Sequence, residues 1–215
     1  MNQAQPDHDP TRERILDEAE RLFSEKGFAA VSVREITSAA HCHLAAVNYH
    51  FGGKQALYLD VFRHRWLPRA QKVGERLAAL AEEKPPTAEE VVRGITGIFF
   101  SAFASEPERQ RHAMLMIREL NQPGEALEMV FNEAIRPNFR IMIGLLKPHL
   151  PPQMDNNRII LYLFSIFAQL IYFNMARLPV MRAMGRDYDQ AFVAELVDHI
   201  TAFSLNGLPL RPSHE

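Results

Sequence analysis

A single cysteine, Cys42, stands in 215 residues, which excludes an internal disulfide and suits a reducing compartment. The chain has no Gly-rich phosphate loop, no Gly-x-Ser-x-Gly elbow and no paired carboxylates on one helix face. None of the common catalytic frames is therefore present, no cofactor is implied, and an enzyme is not the expectation. Residues 1–10, MNQAQPDHDP, lack the charged start and apolar run of a secretion signal. They read as a polar, disordered arm, and a cytoplasmic location is expected. Neither charge dominates: 24 Lys and Arg face 26 Asp and Glu, a net charge of −2. Composition thus lacks the basic footprint that usually marks nucleic-acid binding. Strand-like alternation, internal repeats and low-complexity blocks are missing too.

Apolar residues make up 47% of the chain and charged residues 23%, enough for a substantial core in one or two domains. The longest apolar run, Ile159 to Phe173, is interrupted by Ser165 and Gln169 and followed by Asn174 and Arg177. It falls short of the ~20 apolar residues a spanning helix needs, so a buried helix is expected and no membrane.

The periodicities are helical throughout, and they predict an all-α fold of about nine helices. Residues 11–27 carry Ile15, Ala19, Leu22 and Phe23 on one face, with Thr11 as cap and Gly27 as stop. Ser32-Val33-Arg34-Glu35 fits a capping box ahead of a short helix bearing Ile36, Ala39 and Ala40. Residues 41–43 break the pattern, and Leu44 to His50 form another short helix. Gly52-Gly53 then opens one long helix over 53–82, in which Pro68 predicts a kink. Its basic run, Arg63, His64, Arg65, Arg69 and Lys72, reads as a solvated face. Pro85-Pro86-Thr87 ends that helix and caps the next. Further helices are expected over 87–104, 106–120, 124–149 with a kink at Pro137, 155–178 and 189–206.

Two short helices joined by a tight turn, the second exposing polar tips, suit a DNA major groove. Residues 11–60 resemble the DNA-binding domain of the TetR (tetracycline-repressor) family of bacterial transcription factors. The matching residues are Arg14-Ile15-Leu16, Ala19, Leu22-Phe23, Lys26-Gly27-Phe28, Ser32-Val33, Ile36, Val47-Asn48-Tyr49-His50-Phe51 and Lys54. The resemblance implies an all-helical homodimer that binds a near-palindromic double-stranded operator as a repressor and is released by a small effector. The organisation it implies is a disordered arm at 1–10, a helix-turn-helix domain at 11–60, a ligand-binding and dimerisation domain at 61–207, and a tail at 208–215. By the same match His43 to His50 is the recognition helix, with Leu44, Ala45 and Tyr49 best placed for bases, Asn48 among the DNA-binding set, and Lys54 a phosphate-binding lysine. Tyr49 and His50 can equally reach phosphates, and Tyr49 can instead pack on Phe51. Ser32 and Arg34, at the start of the preceding helix, complete the set. The run Leu44-Ala45-Ala46-Val47-Asn48-Tyr49-His50-Phe51 is similar to a branch that includes fatty-acid-sensing repressors. Two departures stand out: His41 occupies the turn position where the family has glycine, and Cys42-His43 replaces a small polar cap.

Residues Phe99, Phe100, Phe103, Met114, Ile117, Phe131, Phe139, Met142, Phe167 and Phe173 are candidate lining for an apolar effector pocket, with Arg118 and Gln169 as polar partners. Any one of them is as well explained by core packing, and Arg118 by an internal ion pair. Phe164, Ile171, Phe192, Leu196, Ile200 and Phe203 predict a dimer interface of two helices from each chain. His41-Cys42-His43 is too tightly spaced to converge on one metal ion. A helical enzyme without recognisable motifs, or an interaction adaptor that has lost DNA binding, are the alternatives.

Overall fold

The structure, a computed structural model, describes residues 9–101 and 106–211, all of whose regular elements are helical. The chain runs α1 (Pro10–Lys26), α2 (Val33–Ala39), α3 (Ala45–Phe51) and α4 (Lys54–Val61), then a π turn (Phe62–Trp66) leading into α5 (Leu67–Ala79). There follow α6 (Ala88–Ser101), α7 (Glu106–Asn121) and α8 (Glu125–Val130), a second π turn (Phe131–Ile135), and α9 (Arg136–Leu146). A 3₁₀ turn (Lys147–His149) precedes α10 (Asn156–Met175), α11 (Arg177–Met184) and α12 (Gln190–Gly207).

Local chemistry sets the ends. The cap of α1 is Asp9, whose carboxylate accepts from the Thr11 amide at 2.8 Å. Thr11, expected as the cap, lies inside the helix because Pro10 tolerates the first helical position, where no N–H is needed. Gly27 closes α1 at φ +83°, its N–H donating to Phe23 O at 2.9 Å. Ser32 Oγ accepts from the Glu35 amide at 3.1 Å, the expected cap of α2. At α6 the capping box is complete: Glu90 N–H donates to Thr87 Oγ1 at 3.2 Å and Thr87 N–H to Glu90 Oε2 at 2.7 Å. The Thr87 amide, helped by Lys84, depresses the Glu90 carboxyl to about 2.

Both expected kinks take the form of π turns. A helical proline lacks its N–H and crowds the carbonyl four residues back. For Pro68 that carbonyl belongs to His64, and for Pro137 to Glu133, each inside a π turn. The wider turn accommodates the ring without ending the helix. A separate α11 was not anticipated; the chain breaks at Ala176, and Arg177 and Pro179 start a new helix instead of closing the old one.

Two compact units emerge, and they do not follow a boundary at residue 60. One holds the described residues up to Arg69 together with α7, α8 and the chain to Glu133; the other runs from Ala70 to Ser101 and from Ala134 onward. The first unit centres on Ile15, Leu16, Phe23, Ile36, Val47, Leu57 and Phe62, all fully buried. Phe23 and Phe28 each lie 5.0 Å from the Tyr58 ring, and Phe62 lies 5.3 Å from it. The second unit has one continuous apolar core, including Val91, Val92, Ile95, Leu146, Leu163, Ile166 and Ile200. Among the described residues one helix, α10, is long and apolar enough to cross a membrane. One stripe of it, Ile159, Leu163, Ile166 and Leu170, belongs to the second core.

Candidate nucleic-acid interface

The turn between α2 and α3 is carried by His41 at φ +52°, where only glycine is free of strain and His is among the better substitutes. Cys42 N–H then returns to Thr37 O at 3.0 Å. Leu44 already has helical angles, and no side chain accepts from the first amides of α3, so the cap is missing in the structure as well. Behind the helix, Val47 and Phe51 are buried against α1, α2 and α4.

The opposite side of α3 is open. Leu44 is 52% exposed and Tyr49 84% exposed, with His43, Ala45 and Asn48 beside them. Positions 44, 45, 48 and 49 share one face by helical spacing. Tyr49 does not pack on Phe51; its ring stands edge-on to His50 at 4.8 Å. Ser32 and Arg34 are exposed at the start of α2. Lys54 opens α4 with its Nζ 4.3 Å above the Phe28 ring, and burial lowers its pKa. His50 turns inward: its Nε2 lies 3.6 Å from Asp9 Oδ2. Arg14, one of the family-matching residues, is exposed on α1 and its charge reaches Cys42. Burial raises the Cys42 thiol against that charge.

The balanced charge of this region is resolved by pairing. Arg65 bonds Glu13 and Asp17, each at 2.8 Å, and Asp60 accepts from Arg12 at 3.0 Å and Arg63 at 2.6 Å. Arg69 pairs with Glu108. Four members of the basic run, Arg63, His64, Arg65 and Arg69, therefore sit beside carboxylates, which corrects the reading of a purely solvated face. Arg63, His64 and Lys72 are nonetheless exposed, whereas Arg65 and Arg69 are half-buried. Glu20, buried on α1, meets His112 at 3.1 Å and Arg111 at 3.3 Å. Burial opposes its ionisation, but the His112 and Arg111 contacts outweigh this and lower its pKa.

The pattern described as bacterial regulatory proteins, tetR family, matches residues 15–61. That described as the C-terminal domain of the HTH-type transcriptional dual regulator CecR matches residues 88–208, more than half the chain. The chain belongs to the TetR family. Regulators of transcription rather than enzymes make up that family, and ligand-responsive DNA binding is the function this membership assigns. The CecR of Shigella flexneri is 20% identical over 181 residues, 81% of this chain and 80% of CecR. Other curated relatives are matched over less than half their own length. Among solved structures, the fatty acid degradation regulator FadR of Bacillus halodurans is similar at a TM-score of 0.65 and 20% identity, over 96% of this chain and 100% of that one. The FadR of Bacillus subtilis in complex with stearoyl-CoA is similar at a TM-score of 0.63 and 20% identity, over 91% and 98%. At such identities the likeness is one of fold: a TetR-type all-helical chain with an N-terminal helix-turn-helix.

The effector-pocket candidates divide between the units. Phe99, Phe139 and Phe167 form a ring cluster in the second, with centroids 5.6 Å apart for Phe139–Phe167 and 6.2 Å for Phe99–Phe167. Phe100 and Phe173 are partly buried around that core, Met142 lies within it, and Gln169 turns its amide to Ser165 O at 3.3 Å and Ser204 Oγ at 3.5 Å. Met114, Ile117 and Arg118 line a cleft of about 620 Å³ in the first unit, with Phe28 and Tyr58. Arg118 donates to Ser24 O at 3.2 Å and Glu25 O at 2.7 Å, closing the C-terminal end of α1. Phe131 is exposed in the first unit, and Phe103 lies outside the described residues.

The interface candidates divide as well. Phe164, Ile171 and Phe203 are exposed. Phe192, Leu196 and Ile200 are buried within their own chain, so they correct the expected register of α12. That helix is apolar on more than one side, and spacing alone does not tell which stripe faces inward.

Proposed function

We propose that the chain represses transcription in the cytoplasm by binding a near-palindromic operator as a homodimer and leaving it when a small lipophilic effector binds. The observation that carries this reading is Tyr49, a large ring left in water on a helix whose back is held by Val47 and Phe51. Leu44, Ala45 and Asn48 join it at base edges, while Ser32, Arg34, His43 and Lys54 approach phosphates. Paired recognition helices would then read half-sites about one DNA turn, ~34 Å, apart. Dimerisation is assigned to the open side of α10, where Leu161, Phe164, Ile171, Tyr172 and Met175 are exposed, with Phe203 of α12.

The effector class follows from the ring cluster of the second unit, which is apolar and adaptable, and from the likeness to the FadR of B. subtilis, which holds stearoyl-CoA. The LAAVNYHF-type recognition helix points the same way. An effector of this kind can release DNA only through unequal affinity for the bound and free conformations.

The test uses a duplex selected by the wild-type protein from a random pool. Tyr49→Ala should weaken binding about tenfold, in line with ~1–3 kcal/mol for a base-contacting side chain. Its melting temperature should stay that of the wild type, since an exposed ring contributes little to folding. Unchanged affinity removes Tyr49 from the interface. Stearoyl-CoA is the first effector probe, and its expected action is to lower the affinity for the same duplex.

A further inference from the structure

The far end of the recognition helix is held by the first residues of α1. The His50 side chain is 12% exposed, and its Nε2 faces Asp9 Oδ2 at 3.6 Å. The other oxygen of the same carboxylate caps α1 through the Thr11 amide at 2.8 Å. One side chain thus closes the N-terminus of α1 and meets an imidazole in the last turn of α3. Both placements follow the helix dipole, which favours an anion at an N-terminus and a cation at a C-terminus. The neighbouring Phe51 ring lies under the Arg12 guanidinium at 5.1 Å. On its other side His50 touches Tyr49, ring to ring at 4.8 Å. His50 is therefore sandwiched between a fixed carboxylate and the side chain best placed to read DNA.

We infer that Asp9 is a positioning residue for operator binding, holding the His50 ring and through it the Tyr49 ring at the reading edge of α3. The inference rests on the operator-binding function proposed above. The Thr11 amide, and then the His50 charge, keep the Asp9 carboxyl below its ordinary value against the cost of burial. Around this end of α3 the other charged groups are Arg12 on α1, Asp60 on α4 bonded to it, and His64, whose Nε2 lies 3.0 Å from Arg12. From α2, Glu35 is paired with Lys26 and Arg34 is exposed. His41 and His43 lie at the opposite end of α3.

Asp9→Asn separates the two roles of the carboxylate, because asparagine caps a helix as well as aspartate does but carries no charge. Affinity for the selected duplex is read by fluorescence anisotropy between about pH 5.5 and 8, where imidazole titrates. The expected result is a loss of about three- to tenfold at the acid end, the size of a helix-end charge interaction, shrinking as the pH rises through the range where imidazoles lose their charge. His50→Gln should show the same loss, and Asp9→Asn with His50→Gln no further loss, because one interaction cannot be removed twice. Wild-type affinity in Asp9→Asn at every pH overturns the inference. So does a loss that is independent of pH or additive with His50→Gln, since either leaves Asp9 acting through α1 alone. A wild-type protein that selects no duplex removes the operator-binding function itself, a result distinct from a wild type and variant that bind alike.

Discussion

The two units solve the same packing problem with different materials. The first surrounds a small aromatic centre with charge pairs: Arg65 to Glu13 and Asp17, Asp60 to Arg12, and Glu20 to His112. Even its buried tyrosine hydroxyl is bound, Tyr58 donating to Glu119 at 2.7 Å. Glu119 in turn accepts from the amides of Gly124 at 3.3 Å and Leu127 at 3.1 Å. Burial, reinforced by Glu119, pushes the Tyr58 phenol up, so it stays a donor throughout the working range. The second unit uses continuous aliphatic packing and leaves its surplus apolar side chains outside, on α10. The difference matches two kinds of partner. In the first unit Glu13, Asp17 and Asp60 are engaged by Arg65, Arg12 and Arg63, which leaves less bare acid to repel the polyanion proposed as its partner. A surface that meets a copy of itself can be apolar from end to end.

The largest effect expected is on the aromatic centre. Phe23 is fully buried, and Phe23→Ala should lower the unfolding free energy by ~3–5 kcal/mol, read by urea denaturation. A loss under about 1 kcal/mol would mean the charge pairs, not the rings, hold the first unit. The apolar face of α10 comes next. Phe164→Glu with Ile171→Glu places two charges on it, and each buried apolar side chain is worth ~1.5–3 kcal/mol. The dimer dissociation constant should rise at least about a hundredfold by sedimentation, with helix content retained. Should the double variant stay dimeric, the exposed stripe is not the interface, and the comparison between polar and apolar units loses its functional meaning.

Glu20 tests the charge pairs directly. Its folded pKa is lowered, so its stabilisation is present above the unfolded carboxylate value and is lost as pH falls through the folded one. Glu20→Gln should therefore cost about 1.5–3 kcal/mol at neutral pH, the worth of a hydrogen bond to a charged group. The gap between variant and wild type should narrow on acidification, followed by denaturation at several pH values. A gap that stays constant would assign the loss to packing.

These outcomes also explain what was legible in the residues. The helix ends at Gly27 and Ser32 and the strained position at His41 follow from short-range chemistry and are where the spacing puts them. The exposed side of α3 was readable because Val47 and Phe51 define the other side. The partners of Arg65 and Arg69 were not, since Glu13, Asp17 and Glu108 lie far away in the chain and charge type alone does not say which acid folds back. The same limit misassigned Phe192, Leu196 and Ile200. A helix apolar on several sides carries no mark of which side its own core claims first. Arg118 shows a third kind of loss: a lone cation in an apolar helix suggests a ligand's acid, whereas here two carbonyls at the end of α1 occupy it.

The smallest effect expected lies at the missing cap of α3. In the first unit α1 and α2 each have a side chain on their leading amides, Asp9 and Ser32, but α3 has none. His43 precedes the helix and engages the Ala46 amide through its backbone carbonyl at 2.9 Å, leaving the imidazole in solvent. A serine there can accept from an amide one turn on without disturbing His41 or the exposed face. His43→Ser should raise stability by about 0.5–1 kcal/mol, the usual worth of a cap, measured as a small increase in the denaturation midpoint. If His43 contacts a phosphate, the same variant weakens operator binding while it stabilises the fold, and the salt dependence becomes shallower by about one counterion. Gain of stability with unchanged affinity would mean that histidine at this position serves neither the helix nor the DNA.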